Sequence, residues 1–214
     1  MNKDRARAEG YRRKAVEGDT MSMNNLGVCY MQGIGVVKSY EEAFFWYMKA
    51  ADLGDVFAQF NVAECYYHGW GVEQDYASAL EWYVKAAGRG DMQAQVNAAN
   101  AYYLGQGTEE NHAEAYYWWE KAAWQGHVQS MKNMGAGYFN GVTLRKDLIE
   151  AVFWYELAGS TGDAQAQFAT GWFYYTGTGV TENKRLALKW IHRATAQGYQ
   201  PALDFCKEHD IARY

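Results

Sequence analysis

Glycine recurs every 36 residues along this chain of 214, at Gly18, Gly54, Gly90, Gly126, Gly162 and Gly198. A fixed period of that length predicts a repeat array, in which each unit is one supersecondary piece that buries its apolar face against its neighbours. Residues 55–90, DVFAQFNVAECYYHGWGVEQDYASALEWYVKAAGRG, show the unit: a first helix, a glycine turn and a second helix. Five such units are expected over 19–54, 55–90, 91–126, 127–162 and 163–198. Residues 1–18 read as a lone second helix and 199–214 as a lone first helix, each capping one end. The whole is expected to be a single solenoid domain of about twelve helices, because a stack of repeats has no internal seam.

Inside each repeat the recurring residues divide by physical task. Tyr30, Tyr66, Tyr102, Tyr138 and Tyr174 stand three residues after Gly27, Ala63, Ala99, Gly135 and Gly171, a small-beside-large pairing that lets two helices approach. Gly33, Gly69, Gly105, Gly141 and Gly177 sit where a helix must stop. Ser39, Asp75, Asn111, Asp147 and Asn183 then announce the second helix, since their side chains accept from its exposed amides. On that helix alanine, tryptophan and alanine follow at spacings of three and four, as in Ala43, Trp46 and Ala50, and share one face. The pattern predicts an all-α fold of stacked helical hairpins.

The run LGVCYMQGIGVVKSYEEAFFWYMKAADLG, residues 26–54, and its four echoes resemble the Sel1-like repeat, a relative of the tetratricopeptide repeat with a longer, glycine-marked turn. The resemblance implies a right-handed α-α superhelix, or solenoid. It also implies a bacterial-type adaptor or scaffold that binds proteins or peptides on a concave face and carries no chemistry. Repeat four departs from the pattern, with Thr143 at the turn's second glycine, Leu157 where the first three repeats have lysine, and Gly159 where they have alanine. Glycine inside a helix costs about 1 kcal/mol against alanine, so the helix ending LAGSTG is expected to be softer. Some relatives staple each repeat with paired cysteines. Here Cys29 and Cys65 occupy one position of successive repeats and Cys206 stands alone. Stacked helices lie roughly 8–10 Å apart and a disulfide needs Cα atoms within about 7 Å, so buried free thiols are expected.

Charge and motifs remove several function classes. Net charge is −5, with six Lys/Arg against three Asp/Glu in residues 1–18 and 14 against 22 in the rest. That acidity argues against a nucleic-acid partner. No apolar run approaches the roughly 20 residues of a membrane span. The opening MNKDRARAEG lacks the apolar core of a secretory signal, which points to the cytoplasm if the chain is complete and to the periplasm or exterior if a signal was removed. The pairs GIG, GWG, GQG and GTG follow helices rather than strands, so they are turns and not nucleotide loops. His68, His112, His127, His192 and His209 fall at scattered repeat positions, with no i, i+4 metal pair. No nucleophile has a visible base. Neither catalytic residue, metal nor cofactor is expected.

Candidate binding residues are those that vary from repeat to repeat along one first-helix stripe, since core positions repeat and ligand positions differ. Asn24, Val28 and Met31 open the stripe, followed by Phe60, Glu64 and Tyr67, then Val96, Asn100 and Tyr103. Lys132, Ala136 and Phe139, and Phe168, Trp172 and Tyr175, complete it. Its aromatic members would floor a peptide groove, with Gln93, Gln95, Lys132, Gln165 and Gln167 as scattered polar contacts. The column Tyr67, Tyr103, Phe139 and Tyr175 is equally readable as packing between neighbouring helices. Asn61, Asn97 and Asn133, with Asn25 before them, form a ladder of amides suited either to clamping a peptide backbone or to tying down a neighbouring turn. A protein or peptide is therefore the expected partner of a monomer, with weak end-to-end dimerisation open to the half-repeats. The alternatives are a carbohydrate or cell-wall binding module using Trp70, Trp124 and Trp172, and, behind it, a hydrolase of a cell-wall-like substrate.

Overall fold

A computed structural model describes residues 3–211, so Met1, Asn2 and the last three residues of the terminal half-repeat lie outside the described residues. Twelve helices and no strand are found among them. They are α1 (Lys3–Val16), α2 (Thr20–Gln32), α3 (Tyr40–Asp52), α4 (Val56–His68), α5 (Tyr76–Gly88) and α6 (Met92–Leu104). The order continues through α7 (His112–Trp124), α8 (Val128–Asn140), α9 (Leu148–Ser160), α10 (Ala164–Thr176), α11 (Lys184–Ala196) and α12 (Gln200–Glu208). The chain is an all-α repeat fold of the solenoid class, with first helices α2, α4, α6, α8 and α10 each followed by a second helix. Packing gathers it into two compact units, one up to Trp118 and one from Trp119 onward.

The second repeat shows how sequence sets the geometry. Asp55 accepts the amide of Ala58 at 2.8 Å and so starts α4. Gly69 ends it at φ 73°, donating its amide to the Cys65 carbonyl. Asp75 then donates its backbone amide to the Tyr66 carbonyl at 2.9 Å and accepts from Ala77 at 2.9 Å, closing the turn and opening α5 together. Gly71 is required for space as well as angle. At φ 72°, a Cβ there would lie 2.1 Å from the Tyr40 carbonyl oxygen, at the start of the preceding second helix. The turn's second glycine is thus where one hairpin rests on the backbone of the one before.

Between the helices of one hairpin, the small residue of the first faces a large residue of the second. A Cβ on Gly27 would meet the Tyr47 ring at 2.5 Å, and one on Gly171 would meet Ile191 at 2.5 Å. Four of the five repeat tryptophans are buried, namely Trp46, Trp118, Trp154 and Trp190. Trp82 is half-buried and carries the Lys85 ammonium 3.8 Å from its ring. Leu26, Val62, Tyr47 and Cys65 join the core of the first unit, and Val152 and Phe173 a core of the second. All three cysteines are buried thiols outside any disulfide. Helix α9 runs unbroken to Ser160, and Gly159 has its own reason there. A Cβ would come 3.2 Å from the Gln167 amide, so the glycine admits α10 at close range.

Candidate functional site

In the first unit, the three stripe residues of α4 and one of α6, Asn100, meet around a cavity of about 380 Å³. Phe60, Glu64 and Tyr67 come from one face of α4, at i, i+4 and i+7. Gln93, Asn97 and Asn100 come from the facing side of α6, and Tyr83 reaches in from α5. Glu64 is the hub. Its Oε1 accepts from the Tyr83 hydroxyl and from Asn97 Nδ2 at 3.2 Å, while His68 Nε2 stands 3.6 Å from Oε2. Burial, reinforced by the bond to the Glu64 carboxylate, pushes the Tyr83 phenol well above the ordinary range, so it serves as a donor. The aromatic walls are ordered by ring contacts, Phe60 to Tyr83 at 6.0 Å and Tyr67 to Tyr83 at 6.5 Å between centroids.

A second cluster, more apolar, lies in the second unit. Phe139 of α8, Tyr155 of α9 and Gln165, Phe168 and Trp172 of α10 surround a cavity of about 370 Å³ together with Tyr199. Trp172 meets Phe139 edge-on at 6.3 Å, and Phe168 meets Tyr199 at 5.9 Å. Lys132 is committed locally, its ammonium donating to Asp163 at 3.1 Å and to Gln165 at 3.2 Å.

The aromatic column divides between wall and packing. Tyr67 lines the first cavity and Phe139 the second. Tyr175 packs edge-on against Phe205 of α12 at 5.0 Å, under the Lys184 ammonium at 3.5 Å. Tyr103 is 40% exposed, with its ring stacked on His112 at 4.6 Å. Two members of the asparagine column bond between first helices rather than to turn carbonyls. Asn61 Nδ2 donates to Asn24 Oδ1 at 2.8 Å and Asn97 Nδ2 to Glu64, whereas Asn133 accepts from Gln129 at 2.9 Å on its own helix.

Two of the polar residues assigned to a groove floor are elsewhere. Gln95 and Gln167 are buried, at 3% and 5% exposure, and donate to the Ala87 and Gly159 carbonyls at 3.1 Å each. They tie each first helix to the end of the second helix before it, because a buried amide must find a partner. Gln93 and Gln165 do reach the cavities. Of the tryptophans of the carbohydrate reading, Trp124 and Trp172 of the second unit line different cavities. Trp70 stacks between Tyr40 and His68, Trp172 lines the second cavity, and Trp124 is 61% exposed beside Phe153. Among the described residues no group of three or more His, Cys, Asp or Glu could hold a metal ion, and no helix is long and apolar enough to cross a membrane.

The Sel1 repeat pattern matches residues 20–55, 56–91, 93–127, 128–163 and 164–199. No curated protein matches the chain. Among solved structures, a protective antigen of uropathogenic Escherichia coli displaying an SLR fold is 33% identical, with a TM-score of 0.83 over 94% of this chain and 44% of that one. The chain therefore spans less than half the length of that antigen. A Sel1 repeat protein from Oxalobacter formigenes is 31% identical, with a TM-score of 0.76 over 87% of this chain and 77% of its own. Five matched repeats cover most of the sequence, and the chain belongs to the Sel1 repeat family.

Proposed function

We propose that this protein is a non-enzymatic adaptor that binds a peptide segment of another protein through the variable side chains of its first helices. The supporting observation is how the stripe is used. The repeating alanines and four of the five repeating tryptophans are buried between helices, whereas Phe60, Tyr67, Phe168 and Trp172 vary between repeats, remain half-buried and wall open cavities. Half-buried aromatic side chains around a concavity with a few polar groups are what peptide anchors use. Membership in a family whose proteins commonly serve as interaction scaffolds agrees with this.

The test is selection of binders from a random peptide display library on the immobilised protein, followed by fluorescence anisotropy with the synthetic peptides. Affinity is compared among wild type, a Phe60→Ala/Tyr67→Ala variant and a Phe168→Ala/Trp172→Ala variant, each checked by circular dichroism. A loss of about tenfold or more in one variant is expected, the effect of truncating an anchor residue. Equal affinity in all three would move the surface off the first-helix stripe. If no peptide is selected while oligosaccharides quench tryptophan fluorescence, a carbohydrate module replaces this reading.

A further inference from the structure

The Glu64 cavity has a chemistry that the other lacks. We infer that it is a pocket for a positively charged side chain, arginine or lysine, of the bound peptide. The inference rests on the peptide-binding reading and names the residue type that the first unit selects.

Charge decides the ligand. Glu64 is the only carboxylate among the residues lining this cavity, and no lysine or arginine lines it. Its side chain is 24% exposed, so it is partly withdrawn from water yet reachable. The groups that hold it, Tyr83 and Asn97, are neutral donors and both act on Oε1. They fix the carboxylate's direction without cancelling its charge. Oε2 faces His68 Nε2 at 3.6 Å, too long for a good hydrogen bond and an ion pair only when that ring is protonated. One oxygen is thus anchored and the other presented to an incoming N–H.

The walls favour the same ligand. Phe60, Tyr67 and Tyr83 place aromatic surface beside the carboxylate, and a ring face attracts a cation. The aliphatic stem of a lysine or arginine would lie along these rings while its head met Oε2. Gln93 and Asn97 add amide oxygens at the rim, although Gln93 already donates to Asn97 Oδ1 at 3.1 Å. An acidic side chain would face the repulsion of Glu64, and among the lining residues only His68, when its ring is protonated, carries a charge that would offset it. In the second cavity the equivalent helix position is Trp172, not a carboxylate, and no such preference is expected there.

The probe is the blocked peptide acetyl-Gly-Arg-Gly-amide, titrated into ¹⁵N-labelled protein while the side-chain amides of Asn97 and Gln93 are followed by NMR. Saturable shifts confined to α4, α5 and α6 are expected. The citrulline counterpart, which keeps the shape and loses the charge, should bind at least about tenfold more weakly, the size of one charge-assisted hydrogen bond. Glu64→Gln retains an acceptor for Tyr83 and Asn97, and it should bind the arginine peptide no better than wild type binds citrulline. Gln93→Glu, at an exposed rim position, should tighten binding. Absence of localised shifts, equal binding of citrulline, or indifference to both substitutions would overturn the pocket. Library peptides that depend on Phe60 and Tyr67 but carry no basic residue would also overturn it, while leaving peptide binding intact. No peptide from any library would remove both.

Discussion

His127 Nδ1 accepts the backbone amide of Ser130 at 3.2 Å, taking at the start of α8 the place that Asp19, Asp55, Asp91 and Asp163 hold at the starts of α2, α4, α6 and α10. An imidazole can cap a helix only while that nitrogen keeps its lone pair, and a protonated ring would put positive charge at a helix N-terminus.

This makes the fourth repeat acid-sensitive. Burial holds His127 below the usual histidine range near 6.5. Above that value the ring is neutral in both folded and unfolded chains. As pH falls through about 6.5 the unfolded chain takes up a proton first, so stability drops until the folded pKa is reached and then levels. His127→Asp restores the cap of the other repeats and should flatten this contribution, while adding about 1 kcal/mol below pH 6. Urea midpoints for both proteins between pH 5 and 8 would check it. Parallel pH profiles would show that the cap is indifferent to protonation.

Two glycines with similar angles should respond very differently to alanine. Gly71 and Gly90 have φ of 72° and 97°, so either substitution carries the roughly 1–2 kcal/mol strain of a left-handed L residue. Gly90 has open space around a new Cβ, whereas at Gly71 that atom falls 2.1 Å from the Tyr40 carbonyl oxygen, which belongs to backbone and cannot swing aside. Gly71→Ala is expected to lose at least about 2 kcal/mol more than Gly90→Ala in chemical denaturation, in the range of overpacked sites. Matching losses would mean that successive hairpins slide apart freely.

How much of this was legible depends on which groups act locally. Ser39, Asp75, Asn111, Asp147 and Asn183 were readable as caps because an N-cap acts within its own turn. The aspartates after the closing glycines carry the same signal in Gly18–Asp19, Gly54–Asp55, Gly90–Asp91 and Gly162–Asp163. Gln95 and Gln167 were misplaced because glutamine on a helix is usually solvated, and only the neighbouring helix end shows which carbonyl it serves. Tyr83 escaped notice for a different reason. It lies on α5, 19 residues from Glu64, in a column that holds core residues such as Tyr47, and its hydroxyl acquires a role only when α4 supplies a carboxylate. That Phe60, Glu64 and Tyr67 share one face of α4 was legible from helical spacing, but that one cavity holds a carboxylate and the other aromatic walls was not, since that needs the depth at which each side chain sits.

The buried thiols should be silent. Burial, assisted by the Glu64 charge, pushes Cys65 up to about 12, and burial also raises Cys29. Only the thiolate attacks a disulfide reagent. The native protein at pH 8 is therefore expected to show almost no reaction with Ellman's reagent over minutes, and all three cysteines should react once denaturant unfolds it. Fast labelling of Cys65 in the native state would mean that the hairpin of α4 and α5 opens locally.

Helix α12 is held by aromatic contacts that overlap the second cavity. Phe205 meets Phe168 at 5.8 Å and Tyr175 at 5.0 Å, and the helix has only nine residues and no side-chain cap at its start. So short a helix is not stable by itself and depends on docking. Phe205→Ala should release it, with amide hydrogen exchange in Cys206 to Glu208 approaching the unprotected rate while α10 and α11 stay protected. Global stability should fall by about 2 kcal/mol, less than for a fully buried phenylalanine because Phe205 is half-buried. The same variant separates two effects in the peptide experiment. Phe168 both walls the cavity and supports α12, so a peptide lost on Phe168→Ala but kept on Phe205→Ala must contact the Phe168 ring, whereas loss on both would assign the effect to an undocked terminal helix.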